Sequence, residues 1–174
     1  MTLRSRLIFA YAVLAVAATF VEAVYRLLHR AAAALDGRLD ARLGAALAVS
    51  VAVFTWFEGH RALQGRFVPH VVERGLGAGR ALQGCFPVLL APLYALSLYR
   101  APARSMARAW AGIAAIVCAV LVVRQLPEPW RAVVDAGVAA ALAWGGVALL
   151  RAAASAGGLS AGGRARPAGL RAKP

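Results

Sequence analysis

Apolar residues fall into five long runs along the chain, and polar residues gather in the segments between them. The runs cover about residues 7–28, 43–57, 81–99, 109–123 and 132–150. A helix needs about 20 apolar residues to cross a bilayer, a length that the third and fifth runs reach unaided and the others reach with flanking residues. Long Ala/Leu/Val runs also lack the alternation of a membrane β-barrel, so each run is predicted to be a helix.

The composition indicates the same class of protein. Apolar residues make up 61% of the 174 residues and charged residues 16%, against about 45–50% and about 25% in soluble domains. A soluble domain of this size has too little interior for so much apolar chain, and disorder requires low hydrophobicity. The two cysteines exclude a disulfide scaffold. The predicted fold is an all-α integral membrane protein, with four to five hydrophobic helices within residues 1–151.

The net charge of +13 is carried by arginines that lie between the apolar runs. At such positions arginines set membrane topology and contact anionic lipid headgroups, so the bilayer is an expected partner and nucleic acid is not. Arg4 and Arg6 precede the first run, and Ala15-Val16-Ala17 resembles a signal-peptide cleavage site. Because the run continues past that point, we expect an uncleaved signal anchor in a multi-pass protein of the bacterial inner membrane.

Two topologies remain open. If all five runs span, twelve basic residues lie on the side of the C-terminus and eight on the other side. If the third run, which contains Pro87 and Pro92, is re-entrant, four runs span and the division becomes fourteen against six. The positive-inside rule favours four spans slightly, although the third run is long enough to cross. Both alternatives place residues 152–174, a flexible basic tail, in the cytoplasm.

The two longest polar segments carry some helical periodicity. Between Arg26 and Arg42, apolar residues recur every four positions, which predicts a short interfacial helix. Glu58 to Arg80 shows the same spacing, and Pro69 is placed to open a second helix there.

The second polar segment also contains the strongest metal-binding candidates, which are Glu58, His60, His70 and Glu73. Oxygen and nitrogen donors of this kind bind Zn, Mn or Fe. However, the four residues follow neither an HExxH pattern nor a paired ExxH pattern, and nearby arginines compete for the carboxylates. A juxtamembrane helix with solvated or paired charges is the favoured interpretation. No catalytic residue and no cofactor is expected.

Two acid–base pairs are spaced to interact within a helix at the membrane edge. Glu22 and Arg26 are four residues apart, as are Arg131 and Asp135. Ionisable groups in membranes are costly and often functional, but local ion pairing is the favoured interpretation of both. In the fifth run, Gly137, Ala141 and Gly145 form a stripe of small residues, which favours close packing against another helix of the same chain over homodimerisation.

Two stretches resemble a known group of proteins. One is Glu58-Gly59-His60-Arg61-Ala62-Leu63-Gln64 with Phe67-Val68-Pro69, and the other is Leu126-Pro127-Glu128-Pro129-Trp130-Arg131 with Asp135-Ala136-Gly137. Together they are similar to a group of small, functionally uncharacterised polytopic proteins of bacterial inner membranes. The resemblance covers most of residues 1–151 and implies membrane location and helical architecture only.

The sequence contains no metal motif, nucleophile dyad or phosphate loop with an established spacing. It therefore predicts a non-enzymatic role, as an accessory, scaffold or partner-binding subunit in the membrane. A membrane-protein partner or a homo-oligomer is expected. Two alternatives stay open. One is a small transporter or channel subunit built around the broken third run. The other is a membrane metal-binding protein or enzyme that uses the cluster of two glutamates and two histidines.

Overall fold

The computed structural model describes residues 2–37, 40–82 and 84–159, and every regular element in these ranges is a helix. The elements are α1 (Leu3–Leu35), α2 (Ala41–Phe54), a π-helical segment (Thr55–Phe67), α3 (Val68–Ala81), α4 (Cys85–Leu89), α5 (Ala91–Ala95), α6 (Ala103–Val123) and α7 (Trp130–Leu159). The predicted all-α fold is therefore confirmed.

Within these ranges, four helices are long and apolar enough to cross a bilayer. They are α1, α6, α7 and a continuous helix over Ala41–Ala81, here called the long second helix, which joins α2, the π-helical segment and α3. The third apolar run is divided between α4 and α5, which have five residues each. Neither piece is long enough to span. The architecture thus agrees with the four-span alternative.

Two polar segments, each predicted to carry a short helix between spans, are helical over most of their length. α1 continues to Leu35, and α2 begins after Asp40, whose side chain accepts a hydrogen bond of 2.7 Å from the Leu43 N–H. The separate interfacial helix predicted over Arg26–Arg42 is therefore wrong. Glu58–Arg80 lies inside the long second helix, with Pro69 in the first turn of α3. The helix continues through the proline. The π-helical segment ends at Phe67, the Val68 N–H bonds to the Leu63 carbonyl, and Pro69, which has no N–H, follows in the first turn of α3.

The last helix changes the boundary of the predicted tail. α7 runs to Leu159, so residues 152–159 of the predicted tail are helical. The remainder of the predicted basic tail, 160–174, lies outside the described residues.

α1, the long second helix and α7 form a three-helix core. Phe9 of α1 lies against Gly75, and Phe20 stacks on Phe67 with ring centroids 5.8 Å apart. Residue numbers rise along one helix as they fall along the other, so the two helices are antiparallel. The largest buried cluster draws on both helices, on α5 and on α7, and it includes Ile8, Ala12, Val13, Val16, Val68, Val71, Ala78, Ala91, Ala95 and Leu149.

The small residues of α7 are where the long second helix approaches most closely. A Cβ built on Gly137 would overlap the Ser50 hydroxyl, and one on Gly145 would lie 2.5 Å from Leu63 Cδ1. Between them, Gly59 lies against Ala141, with its own hypothetical Cβ 3.3 Å from the Ala141 Cα. The predicted stripe therefore packs within the chain, as expected.

α6 stands apart from this core. Each of its residues in Ala103–Val123 is exposed or half-buried, and none is buried. By contrast, 33% of the apolar stretch of α1 and 39% of that of α7 is buried inside the protein, and 6% of that of the long second helix. α6 is thus long and apolar enough to span, and the rest of the described chain leaves most of it exposed.

Substituting Gly137 with alanine is expected to destabilise the protein. The added methyl group would lie 2.8 Å from Phe54 Cδ2 and overlap Ser50, and overpacking of this kind costs about 1–3 kcal/mol. Thermal unfolding in mild detergent, followed by circular dichroism, should show a lower midpoint. Gly112→Ala is the matched control, because its Cβ meets nothing within 4 Å. Equal midpoints for the two variants would contradict the close contact between α2 and α7.

Candidate functional site

The two predicted acid–base pairs both form, in different surroundings. The Arg26 guanidinium lies 2.6 Å from the Glu22 carboxylate, and both side chains are more than 60% exposed. Arg131 lies 3.9 Å from Asp135, and these side chains are only 27% and 12% exposed. Asp135 is one of the few buried charged residues, and Arg131 four residues away partly offsets its desolvation. Each pair is local to one helix turn.

The four metal-ligand candidates are not assembled into one centre. Among the side chains that the structure describes, no three His, Cys, Asp or Glu residues lie together in a way that could hold a metal ion. Glu58 and His60 lie in the π-helical segment, whereas His70 and Glu73 lie in α3. The geometry therefore gives no support to the metal alternative.

His60 belongs instead to an aromatic cluster on the outside of the bundle. Its ring centroid lies 5.2 Å from that of Trp56 and 6.5 Å from that of Trp144. Gln64 bridges His60 and Trp144, since its Oε1 accepts from Trp144 Nε1 at 2.7 Å and lies 3.1 Å from His60 Nδ1. This cluster links the π-helical segment to α7, and amphipathic rings of this kind are typical of membrane–water boundaries.

His70 has a different partner, which lies 27 residues away in sequence. Its Nε2 is 2.7 Å from the hydroxyl of Ser97. Ser97 is 1% exposed and has φ +62°, a left-handed conformation that few residues other than glycine adopt. The hydrogen bond thus joins α3 to the turn that follows α5, and it satisfies a hydroxyl that burial would otherwise leave unpaired.

Arg74 lies one turn along α3 and makes a second connection to the same segment. Its Nε donates to the Tyr94 carbonyl at 2.9 Å, and Nη2 donates to the Arg100 carbonyl at 3.3 Å. Its guanidinium carbon lies 4.3 Å from the centroid of the Tyr94 ring, within cation–π range. Arg100, also at positive φ, donates in return to the Ala81 carbonyl at 3.4 Å. We call His70, Arg74, Tyr94, Ser97 and Arg100 the polar cluster.

The polar cluster has a physical cause in the broken third run. Pro87 and Pro92 lack backbone N–H groups, and the turn after α5 interrupts the helical hydrogen bonds. The Tyr94 carbonyl accepts from the Ser97 N–H at 3.1 Å and has a second lone pair for Arg74, whereas the Arg100 carbonyl accepts from Arg74. Irregular backbone in a membrane protein is tolerated where protein groups satisfy it. Arg74 supplies such groups from α3, while Leu89 and Leu93 remain exposed on the outer surface of the segment.

The sequence reasoning identified the break in the third run but missed most of the polar cluster. His70 was singled out, although as a metal ligand, and Ser97 was not considered. No local pattern marks Ser97, because its role depends on a contact across 27 residues. The amphipathic pattern of α3 was the one available signal, since it places Arg74 on the polar side of the helix, where another segment could contact it.

α6 offers a second candidate surface, because its residues separate by size around the helix. At 3.6 residues per turn, one side, here called the small face, comprises Arg104, Ala107, Arg108, Ala111, Ala115, Cys118 and, in the same direction as Arg104, the exposed Val122. The opposite side, here called the large face, comprises Met106, Trp110, Ile113, Val117, Val120 and Leu121. The three half-buried residues of α6, Ser105, Ala109 and Val123, all lie off the small face. The side of α6 nearest the core therefore lies between the small face and the large face.

Replacing Arg74 by methionine is expected to loosen the segment that it holds. Each lost hydrogen bond from a charged donor is worth about 1.5–3 kcal/mol, which corresponds to about tenfold or more in local opening. Hydrogen exchange in detergent should therefore accelerate by at least that factor at the Ser97 and Leu98 amides. Arg80→Met, at an exposed position of the same helix, is the control. Unchanged exchange in Arg74→Met would show that Arg74 does not hold this segment.

No protein family, no curated protein and no solved structure matches this chain. Its function is therefore inferred from its own packing, charge and polar contacts.

Proposed function

We propose that this protein is a non-enzymatic subunit of a membrane complex and that it binds another membrane protein through α6. The observation that supports this most strongly is the exposure of α6. This helix has 21 residues, and 0% of its most apolar stretch is buried inside the protein. The other three long helices contact one another extensively.

The pattern of side chains on α6 supports a protein partner over lipid alone. Lipid tails are as apolar as leucine, so spanning helices associate mainly where small residues let their backbones approach. The contacts of Gly137 and Gly145 with the long second helix follow this rule. α6 also carries small residues on one face, at Ala107, Ala111, Ala115 and Cys118, and none of its residues is buried within the described part of the chain.

The polar cluster supports a structural role over catalysis. The Arg74 guanidinium is used in bonds to two carbonyls, and His70 is used in the bond to the buried Ser97 hydroxyl. These groups hold the broken third run against α3. A catalytic acid or base instead needs access to a reacting group, and Ser97 at 1% exposure has little.

The proposal places the protein in the bacterial inner membrane with both termini in the cytoplasm. With four spans, and without Arg61, Arg66, Arg74 and Arg80, which lie inside the long second helix, ten basic residues share the side of the termini, against six on the other side. That asymmetry follows the positive-inside rule. The arginines on this side would also contact anionic lipid headgroups.

Site-specific photocrosslinking in the cells that naturally produce the protein tests the proposal. A photoreactive benzoylphenylalanine at position 115 lies on the small face, and one at position 117 lies on the large face of the same helix. We expect a discrete protein adduct from position 115 and only lipid adducts from position 117. The adduct should contain a membrane protein that, when tagged itself, also purifies this chain.

The two positions control for each other, because both lie in the middle of the span and differ only in direction. Protein adducts from both faces, or from neither, would contradict a docking surface on one side of α6.

A small transporter or channel subunit is the second candidate, and the broken third run with its polar cluster favours it. Discontinuous helices and polar groups mark binding sites in many transporters. Four helices enclose little pathway alone, so this candidate predicts a homo-oligomer. Native mass spectrometry would show the oligomer, and purified protein in liposomes would conduct ions. A monomer without ion flux would exclude it in favour of the partner-binding function.

A further inference from the structure

We infer that several copies of this chain assemble in the membrane around a shared water-filled space, which is lined by the exposed side of residues 58–80. This side is here called the polar face, and its charged residues are Glu58, Arg61, Arg66, Glu73 and Arg80. The inference does not depend on the proposed binding through α6, which is another surface. It rests on the depth of the polar face in the bilayer and on the kind of side chains that this face exposes.

Contacts with α7 place the first part of the polar face at the depth of an apolar run. Residues 132–150 of α7 contain one charged residue and lie between two arginines. Gly59 packs on Ala141, near the middle of this run, and Leu63 packs on Gly145. This part of the long second helix therefore lies level with the apolar run of α7.

Contacts with α1 place the next part of the polar face at the depth of a second apolar run. Residues 7–21 of α1 contain no charged residue. Within this run, Phe20 stacks on Phe67 and Phe9 lies against Gly75. The contacts with α7 and α1 together extend over about 24 Å of the long second helix at 1.5 Å per residue, which is less than the roughly 30 Å of the hydrocarbon core. A single bilayer therefore surrounds all of them.

At this depth the neighbouring helices expose large apolar side chains, whereas the polar face does not. Leu14 and Val21 of α1 are 60% and 68% exposed, and Val147 of α7 is 49% exposed. Within residues 58–80, no exposed residue is a large apolar one. Ionisable side chains at membrane depth almost always face the interior of a bundle or a water-filled cavity. The polar face therefore borders water or protein and not lipid tails.

The described part of the chain does not cover the polar face, because all five of its charged residues are exposed there. Shielding from lipid must then come from another molecule. A second copy of this chain fits, since copies inserted in the same orientation present their polar faces at the same depth.

The order of charges along the polar face is also compatible with its own copy. Arg66, Glu73 and Arg80 follow one another at intervals of seven residues, which is about two turns of a helix, so they lie on one line. The carboxylate of one copy then lies at a depth between two guanidinium groups of its neighbour. Like charges of the copies meet at one depth, so water must separate the faces, as it does where rings of charged side chains line membrane pores.

Nitroxide spin labels at two positions of equal depth test the inference in the purified full-length protein. Ala62→Cys lies on the polar face, and Val21→Cys lies on the exposed surface of α1. The residues next to them, Leu63 and Phe20, contact two adjacent glycines of α7, so the two labels lie at nearly the same depth.

Both variants are made in a Cys85→Ser/Cys118→Ser background and reconstituted in vesicles of phosphatidylcholine and phosphatidylglycerol. Accessibility of each label to oxygen reports lipid, and accessibility to a water-soluble nickel complex reports water. Double electron–electron resonance measures distances between labels on different copies. Dilution with unlabelled protein is the control, because it should remove these distances.

We expect several-fold higher accessibility to the nickel complex at position 62 than at position 21, and the reverse order for oxygen. Distances between copies should be measurable at both positions and shorter at position 62, since that label faces the shared space. A monomer, with no distance between copies at either position, would overturn the inference. High oxygen accessibility at position 62 would overturn it by showing lipid on the polar face.

Two further results would also contradict the inference. High nickel accessibility at both positions would place this level of the bundle outside the bilayer. Shorter distances at position 21 would show that another side of the bundle faces the neighbouring copies. Binding through α6 is judged separately, by whether position 115 crosslinks a protein in cells.

Discussion

The close approach of helices at small residues is the interaction on which this fold depends. In a bilayer the hydrophobic effect does not drive helices together, so contact between their backbones must supply the attraction. Each atom pair contributes only about 0.1–0.2 kcal/mol, and many pairs are needed. Gly137, Ala141 and Gly145 allow this contact between α7 and the long second helix, and Gly79 allows it between α3 and α1, where a Cβ on Gly79 would lie 2.7 Å from the Ser5 Cα. With larger residues at these positions, the core helices could not approach one another so closely.

A second constraint follows once the bundle is formed, because the broken third run must satisfy its own backbone. Its carbonyls face α3, where Arg74 donates to those of Tyr94 and Arg100. Ser97 is buried beside them with His70 as its partner. The segment thereby covers the polar side of α3 and presents Leu89 and Leu93 outward. Arg74 and His70 thus connect α3 to the segment around α5.

The parts of the structure that sequence reasoning could predict are those set by local pattern. Long apolar runs predicted the spanning helices, Pro87 and Pro92 pointed to the break in the third run, and the small stripe of α7 predicted its packing. The helix that opens at Pro69 was predicted, but not its continuity with the second apolar run, because charged residues in Glu58–Arg80 suggested a segment outside the membrane and their packing against α1 and α7 could not be seen. The pairing of His70 with Ser97 was also missed, since it spans 27 residues. Spacing alone suggested a metal centre that the described residues do not assemble.

α6 is the exception among the four long helices, since none of its residues is buried within the described part of the chain, and the proposed partner binding depends on it. The most direct test is to measure what covers each side of it. Spin labels placed one at a time along residues 109–121, in a cysteine-free background, report exposure to oxygen dissolved in lipid. In membranes of the cells that naturally produce the protein, we predict oxygen accessibility with a helical period and minima at Ala111, Ala115 and position 118. Uniformly high accessibility around the helix would show that lipid covers α6 on all sides and would contradict the account.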